Sequence, residues 1–244
     1  MGVDWLEFGA LILVETPMRN PETAKRSFTE IEIVMGEELE ILEILAFNGL
    51  YNIAVEFLPE HRDALYRNFP SWNDSMLDGL SFLRTSDSSA IYYFMHLIFQ
   101  EYFAASYFVQ CWIDETPLDL IPLGTETQSL EPEEFLGHEK YNGLYNVMWR
   151  IISGLLSMSR KLGSDRNALL GFFWALESEP RDLLGLAHLR LLMHCFNEVD
   201  CILDQNSNRG VKRTFKAYRR SSLSLKMCSC TRASIGHCPG GLFL

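Results

Sequence analysis

Four metal-ligand types crowd the end of this 244-residue chain: Cys228, Cys230, His237 and Cys238. A zinc site needs thiolates and imidazoles spaced so that four of them converge on one ion, as two C-x-x-C pairs do. The C-x-C and H-C spacings present are not those of a zinc knuckle, and no apolar periodicity surrounds them, so no metal site is expected. His194 and Glu198 stand four residues apart on an expected helix, where they could share a ligand. No third ligand accompanies them, and a surface His–Glu pair is the favoured reading. Nothing in the sequence places a base beside Cys111. Asn73-Asp74-Ser75 matches a glycosylation acceptor, a pattern that chance often produces. Just as informative are the motifs that the chain lacks. It has no G-x-x-x-x-G-K-[ST] loop to cradle phosphates, no strand ending in an acidic Walker B pair, and no H-E-x-x-H, G-x-S-x-G or C-x-x-C. No catalytic residue is assigned, and hydrolysis of ATP by this chain alone is not expected.

The elements that would position such residues read as mainly helical. Apolar residues at 39, 41, 42, 45 and 46 line one side of a helix over 37–48, with Glu40 and Glu43 on the other and Gly49 placed to cap it. Short helices and brief extended pieces then alternate to about residue 86, an alternation that suits a small winged-helix unit. The strongest helix covers 94–110. Met95, Ile98, Phe99, Tyr102, Ser106 and Val109 form its core face, His96, Gln100 and Tyr107 a neighbouring stripe, and Ala104 and Ala105 allow close approach of another element. A Pro-, Thr- and Gly-containing linker over 114–131 leads to a helical block over 132–205. Pro132, Glu133 and Glu134 suit the first turn of that block, and Leu184, Leu191, Cys195 and Ile202 suit an apolar stripe. The expected organisation is an N-terminal remnant (1–27), a winged-helix-like domain (28–113), the linker, the helical domain (132–205) and a disordered basic tail (206–244).

Charge separates body from tail. Against 21 Lys and Arg stand 32 Asp and Glu, a net of −11. Residues 206–244 carry eight basic residues and no acidic one, which leaves −19 on residues 1–205. An acidic body repels a phosphate backbone, so no nucleic-acid partner is expected. The tail could touch an anionic partner, although a solvated end is the favoured reading. No basic n-region opens the chain, and Cys111, Cys195 and Cys201 read as reduced, buried thiols; the cytoplasm is the expected location. The stretch 91–113 is long and apolar enough to suggest a membrane span, but Gln100, Glu101 and Gln110 interrupt it, and a buried soluble helix is the better reading.

Within that stretch, YYFMHLIFQEYFAASYFVQCW resembles the F-x-H-L-T-F-Q-E-Y-F-A-A helix that follows the NACHT domain in STAND-class NTPases, the group of the NOD-like receptors. Phe94, His96, Leu97, Phe99, Gln100, Glu101, Tyr102, Phe103, Ala104 and Ala105 match, and Ile98 replaces the usual Thr. ELEILEILAFNGL and LDGLSFLR before it, and EEFLGHEKYNGLYNVMWRIISGLL and EPRDLLGLAHLRLLMHCFNEV after it, are similar to flanking blocks of fungal and protist members. The resemblance runs from about residue 28 to residue 199. It implies a regulatory winged-helix and helical fragment of an innate-immune-type signalling NTPase, one that closes over a nucleotide-bound core lying upstream. The family's cofactor is ADP or ATP, with none expected in this chain. His96 is the counterpart of the histidine that meets the β-phosphate of ADP, and the other matched residues are structural. The implied partner is an upstream NACHT domain, with room left for self-association. A stand-alone helical interaction module, binding through residues 92–112, is the alternative.

Overall fold

A computed structural model describes residues 36–80, 82–86, 91–159, 167–182 and 186–203. The expected N-terminal remnant and basic tail, with their cysteines and His237, lie outside the described residues. The protein is mainly α-helical, with eight α-helices among the described residues.

Helix α1 (Gly36–Tyr51) is followed by strand β1 (Glu56–Phe57), α2 (Pro59–Asn68), α3 (Asp74–Gly79), the hairpin strands β2 (Leu83–Thr85) and β3 (Tyr92–Phe94), and the long α4 (Leu97–Asp114). The three strands form an antiparallel sheet in the order β1-β3-β2, with Glu56 opposite Tyr93 and Leu83 opposite Phe94. This order and pairing are those of a winged helix. Polar side chains tie its parts together. Asn73 caps α3 by accepting from the Met76 N–H, which gives the Asn-Asp-Ser triplet a structural role. Asp74 accepts from Arg62 and from the Tyr66 hydroxyl, and the Tyr92 hydroxyl donates to Asp78 at 2.8 Å.

Helix α1 is buried on every side from Ile41 to Leu50, not on one stripe, because α4, Phe57 of the sheet and residues 119–121 all lie against it. Glu43, expected on the outer face, is only 5% exposed. Gly49 does not cap the helix. It lies inside α1, and the left-handed position beyond the end is Ile53 (φ 56°). There the Ile53 and Ala54 N–H groups donate to the Leu50 and Gly49 carbonyls, a Schellman closure with isoleucine where glycine is usual.

Residues 114–131, read as a linker, hold the hairpin β4 (Leu118–Leu120) and β5 (Gln128–Leu130). Two side-chain amides, Asn48 of α1 and Asn52 just beyond its end, bind it as a backbone neighbour would. Asn48 donates to the Asp119 carbonyl and accepts from the Ile121 N–H, and Asn52 donates to the Ile121 carbonyl and accepts from the Leu123 N–H. Helices α5 (Pro132–Glu139), α6 (Asn146–Ser159), α7 (Ala168–Glu177) and α8 (Ala187–Leu203) complete the chain. Phe108 of α4 meets Trp149 of α6 and Phe172 of α7 edge-on, and Phe135 of α5 meets Phe47 of α1, so aromatic rings join the winged-helix part to the later helices.

Candidate functional site

The matched motif does not form one helix from residue 94. Phe94 ends β3 and is buried, and His96 is the N-cap of α4 with extended backbone (φ −150°, ψ 142°). The correction has a simple cause. A residue outside the first helical turn can turn its side chain back onto the helix, and the His96 Nδ1 accepts from the Ile98 N–H at 3.2 Å. That bond makes Nδ1 the acceptor and leaves the ring proton on Nε2, on an exposed side chain. His96 therefore does not share a stripe with Gln100.

Gln100 is completely buried, and its amide donates to the Ala54 carbonyl at 2.9 Å. Only glycine at position 49 leaves room for it: a Cβ there would stand 2.5 Å from the Gln100 amide nitrogen and 2.7 Å from the Phe57 ring. The expected core face of α4 is also rotated. Phe103, Ala104, Ala105, Phe108, Val109 and Cys111 are buried with Gln100, while Ile98, Phe99, Tyr102 and Ser106 are half-buried and Met95 is exposed. Helix α4 is covered by α1 and α6, and a helix enclosed by two neighbours buries more than one stripe. Ala104 and Ala105 do sit at zero exposure in that enclosure, as their size suggested.

Exposed apolar side chains stand at the start of α4 and in the 53–55 segment. Ile53 is 79% exposed, Val55 58%, Leu97 46% and Met95 38%. The Gln100–Ala54 bond brings the 53–55 segment beside the start of α4. Glu101, one residue beyond Gln100, is half-buried, and burial pushes its carboxyl up to about 7. Leu97 and Tyr102 complete the matched set, and burial raises the Tyr102 phenol to about 12.

Three arrangements carry no sequence signature of their own. Glu43 accepts from the Gln110 amide at 2.9 and 3.1 Å; burial raises it to about 7 against the pull of bonds from Ser106 and Gln110. The apolar residues on both sides of it in EILEIL are the one hint in the sequence. Lys140, with no exposure, donates to the Leu176 and Ser178 carbonyls and so closes the end of α7. Glu198 is buried and pairs with Arg150 of α6. The expected surface pair is thus corrected, because packing against α6 turns Glu198 inward. Nearer the start of the same helix, His188, 1% exposed, meets the Tyr141 hydroxyl at 2.9 Å and Glu177 at 3.3 Å.

Among the described residues no helix is long and apolar enough to cross a membrane, and no cluster of His, Cys, Asp and Glu could hold a metal ion. No family model, curated protein or solved structure matches the chain.

Proposed function

We propose that this chain is the regulatory winged-helix and helical part of a NACHT-type signalling NTPase, which locks or releases a nucleotide-bound core supplied by another domain. The observation that carries the reading is His96, an exposed imidazole fixed at the start of α4 with Nε2–H turned outward. With Nδ1 accepting from Ile98, the neutral imidazole has one N–H left to donate to a phosphate oxygen, and the charge of the phosphate strengthens that bond. The exposed rim of Ile53, Val55, Met95 and Leu97 supplies apolar area for a covering domain. The chain has no phosphate loop or Walker B pair of its own, so hydrolysis belongs to that other domain.

Charge argues against the other common use of a winged helix. Helix α3 stands where a DNA-reading unit places its recognition helix, yet it bears Asp74 and Asp78 and no basic residue. A stand-alone interaction module is the second reading, favoured by the same apolar rim. It would use the rim and not the body of α4, whose Phe103 and Phe108 are in the core.

The two readings part on one measurement. The chain is fused behind a NACHT nucleotide-binding domain, and ADP affinity and resting activity are measured with His96 and with His96→Ala. Loss of about tenfold in ADP affinity, one charge-assisted hydrogen bond, is expected together with raised resting activity. Parent-level values for both would remove the nucleotide role.

A further inference from the structure

A cavity of about 500 Å³ opens between the first turns of α6, the N-terminal half of α8 and the Lys140–Tyr141 corner. Its size lies within the range of small-ligand sites. Lys140, Arg150, Arg190 and His194 are among the residues that line it, and none of the lining residues bears a carboxylate. In a chain of net charge −11 this is a local reversal of sign. Gathering like charges in one concavity opposes folding, and it also focuses a positive field there.

Of the nearby carboxylates, Glu198 holds a cation of the cavity in place, while Glu177 and Glu179, whose charges reach Lys140, are paired with Arg181. Glu198 takes the Arg150 Nε and Nη2 at 3.0 and 2.6 Å, which fixes the guanidinium and leaves its Nη1 unbonded among the described residues. Asp182 accepts from the Ala187 N–H at the start of α8. Lys140 is bonded only to neutral carbonyls. Arg190 and His194, one turn apart on α8, have no ion-pair partner among the described residues. The Tyr141 hydroxyl at the cavity edge is fixed by the Asp182 N–H at 3.0 Å and by His188.

We propose that this cavity binds a small phosphate-bearing molecule, held between Arg150 on α6 and Arg190 with His194 on α8. A planar carboxylate is satisfied by a single guanidinium fork. Donors arriving from two helices suit the several oxygens of a tetrahedral phosphate, and the first residues of α6 and α8 add the positive ends of two helix dipoles. The site involves neither His96 nor the apolar rim, so it stands whether or not the regulatory reading holds.

Pyrophosphate is the probe, titrated into the full chain while the His194 ring protons are followed by NMR and heat is followed by calorimetry. The expected result is a saturating shift of the His194 resonances, with affinity above that for citrate. Arg190→Gln and His194→Gln, both on residues outside the core, should each weaken binding about tenfold. Arg67→Gln on α2 should leave it unchanged. The eight basic residues of 206–244 are common to parent and variants, so the differences report the cavity alone. Static His194 resonances, parent-level affinity in the Arg190→Gln variant, or tighter binding of citrate would each overturn the proposal.

Discussion

Replacing Glu43 by glutamine should change the pH dependence of stability more than stability itself. The carboxyl is 5% exposed, and burial lifts it from an ordinary 4.5 to about 7. A folded-state value above the unfolded one means that the native protein binds the extra proton between those limits. The stabilisation is complete below pH 4.5 and is lost as pH rises through 7. At about 1.4 kcal/mol for each pH unit, the ionised form costs up to about 3 kcal/mol above pH 8. Glutamine has nearly the same shape and no charge, but it presents an N–H₂ to the Gln110 amide that now donates to both carboxylate oxygens. The loss of one such bond costs about 1 kcal/mol, which the Ser106 hydroxyl offsets in part by accepting instead. Glu43→Gln should therefore stabilise the chain by about 2 kcal/mol at pH 8 and leave it level or slightly weaker at pH 5. Urea unfolding of parent and variant at both pH values measures the difference directly. A gap that stays constant within about 0.5 kcal/mol from pH 5 to pH 8 would refute the assignment of a buried, protonatable Glu43.

Ile53→Gly removes a β-branched side chain from a left-handed backbone, and because Ile53 is 79% exposed it gives up little packing. A rise in stability of about 1 kcal/mol is expected, read as a higher Tm; a fall would show that the side chain packs against the fold. Gly49→Ala should cost about 1–3 kcal/mol, since the new methyl meets the Gln100 amide and the Phe57 ring, and an unchanged Tm would mean that both move freely. Arg150→Ala removes the guanidinium that pairs with the buried Glu198 and should cost about 3 kcal/mol, part of it restored by adding Glu198→Gln; no recovery in the double variant would place the loss in packing. Purified chain should show no ATP turnover above a heat-killed control, and measurable turnover would contradict the absence of a phosphate-binding loop.

Some of this protein could be read from residue types alone. Helical periodicity and apolar content gave the mainly α class, Pro132 with Glu133 and Glu134 marked the start of α5, and the paired alanines of α4 marked a close approach. These are local signals, carried by dihedral preference, terminal charge and side-chain size, and they act before any tertiary contact forms. The enclosure of each helix is another matter. Periodicity assigned one core face to α4, but α1 and α6 close on it from two sides, so Gln100 is buried while Met95 is exposed. The same enclosure made a core carboxyl of Glu43 and turned Gly49 from an expected cap into a gap for a glutamine. His96 shows the division most closely. Its residue type was legible, but its place at the N-cap arose because β3 takes residues 92–94 into the sheet and the helix can begin only after the chain turns. The cationic cavity lies further still from the sequence. Lys140, Arg150, Arg190 and His194 are scattered over 55 positions of an acidic chain, and only the packing of α8 against α6 brings them together. Sequence fixes what each residue can do within one or two turns of its neighbours; which residues meet across helices depends on how the faces close, and that is a property of the whole core.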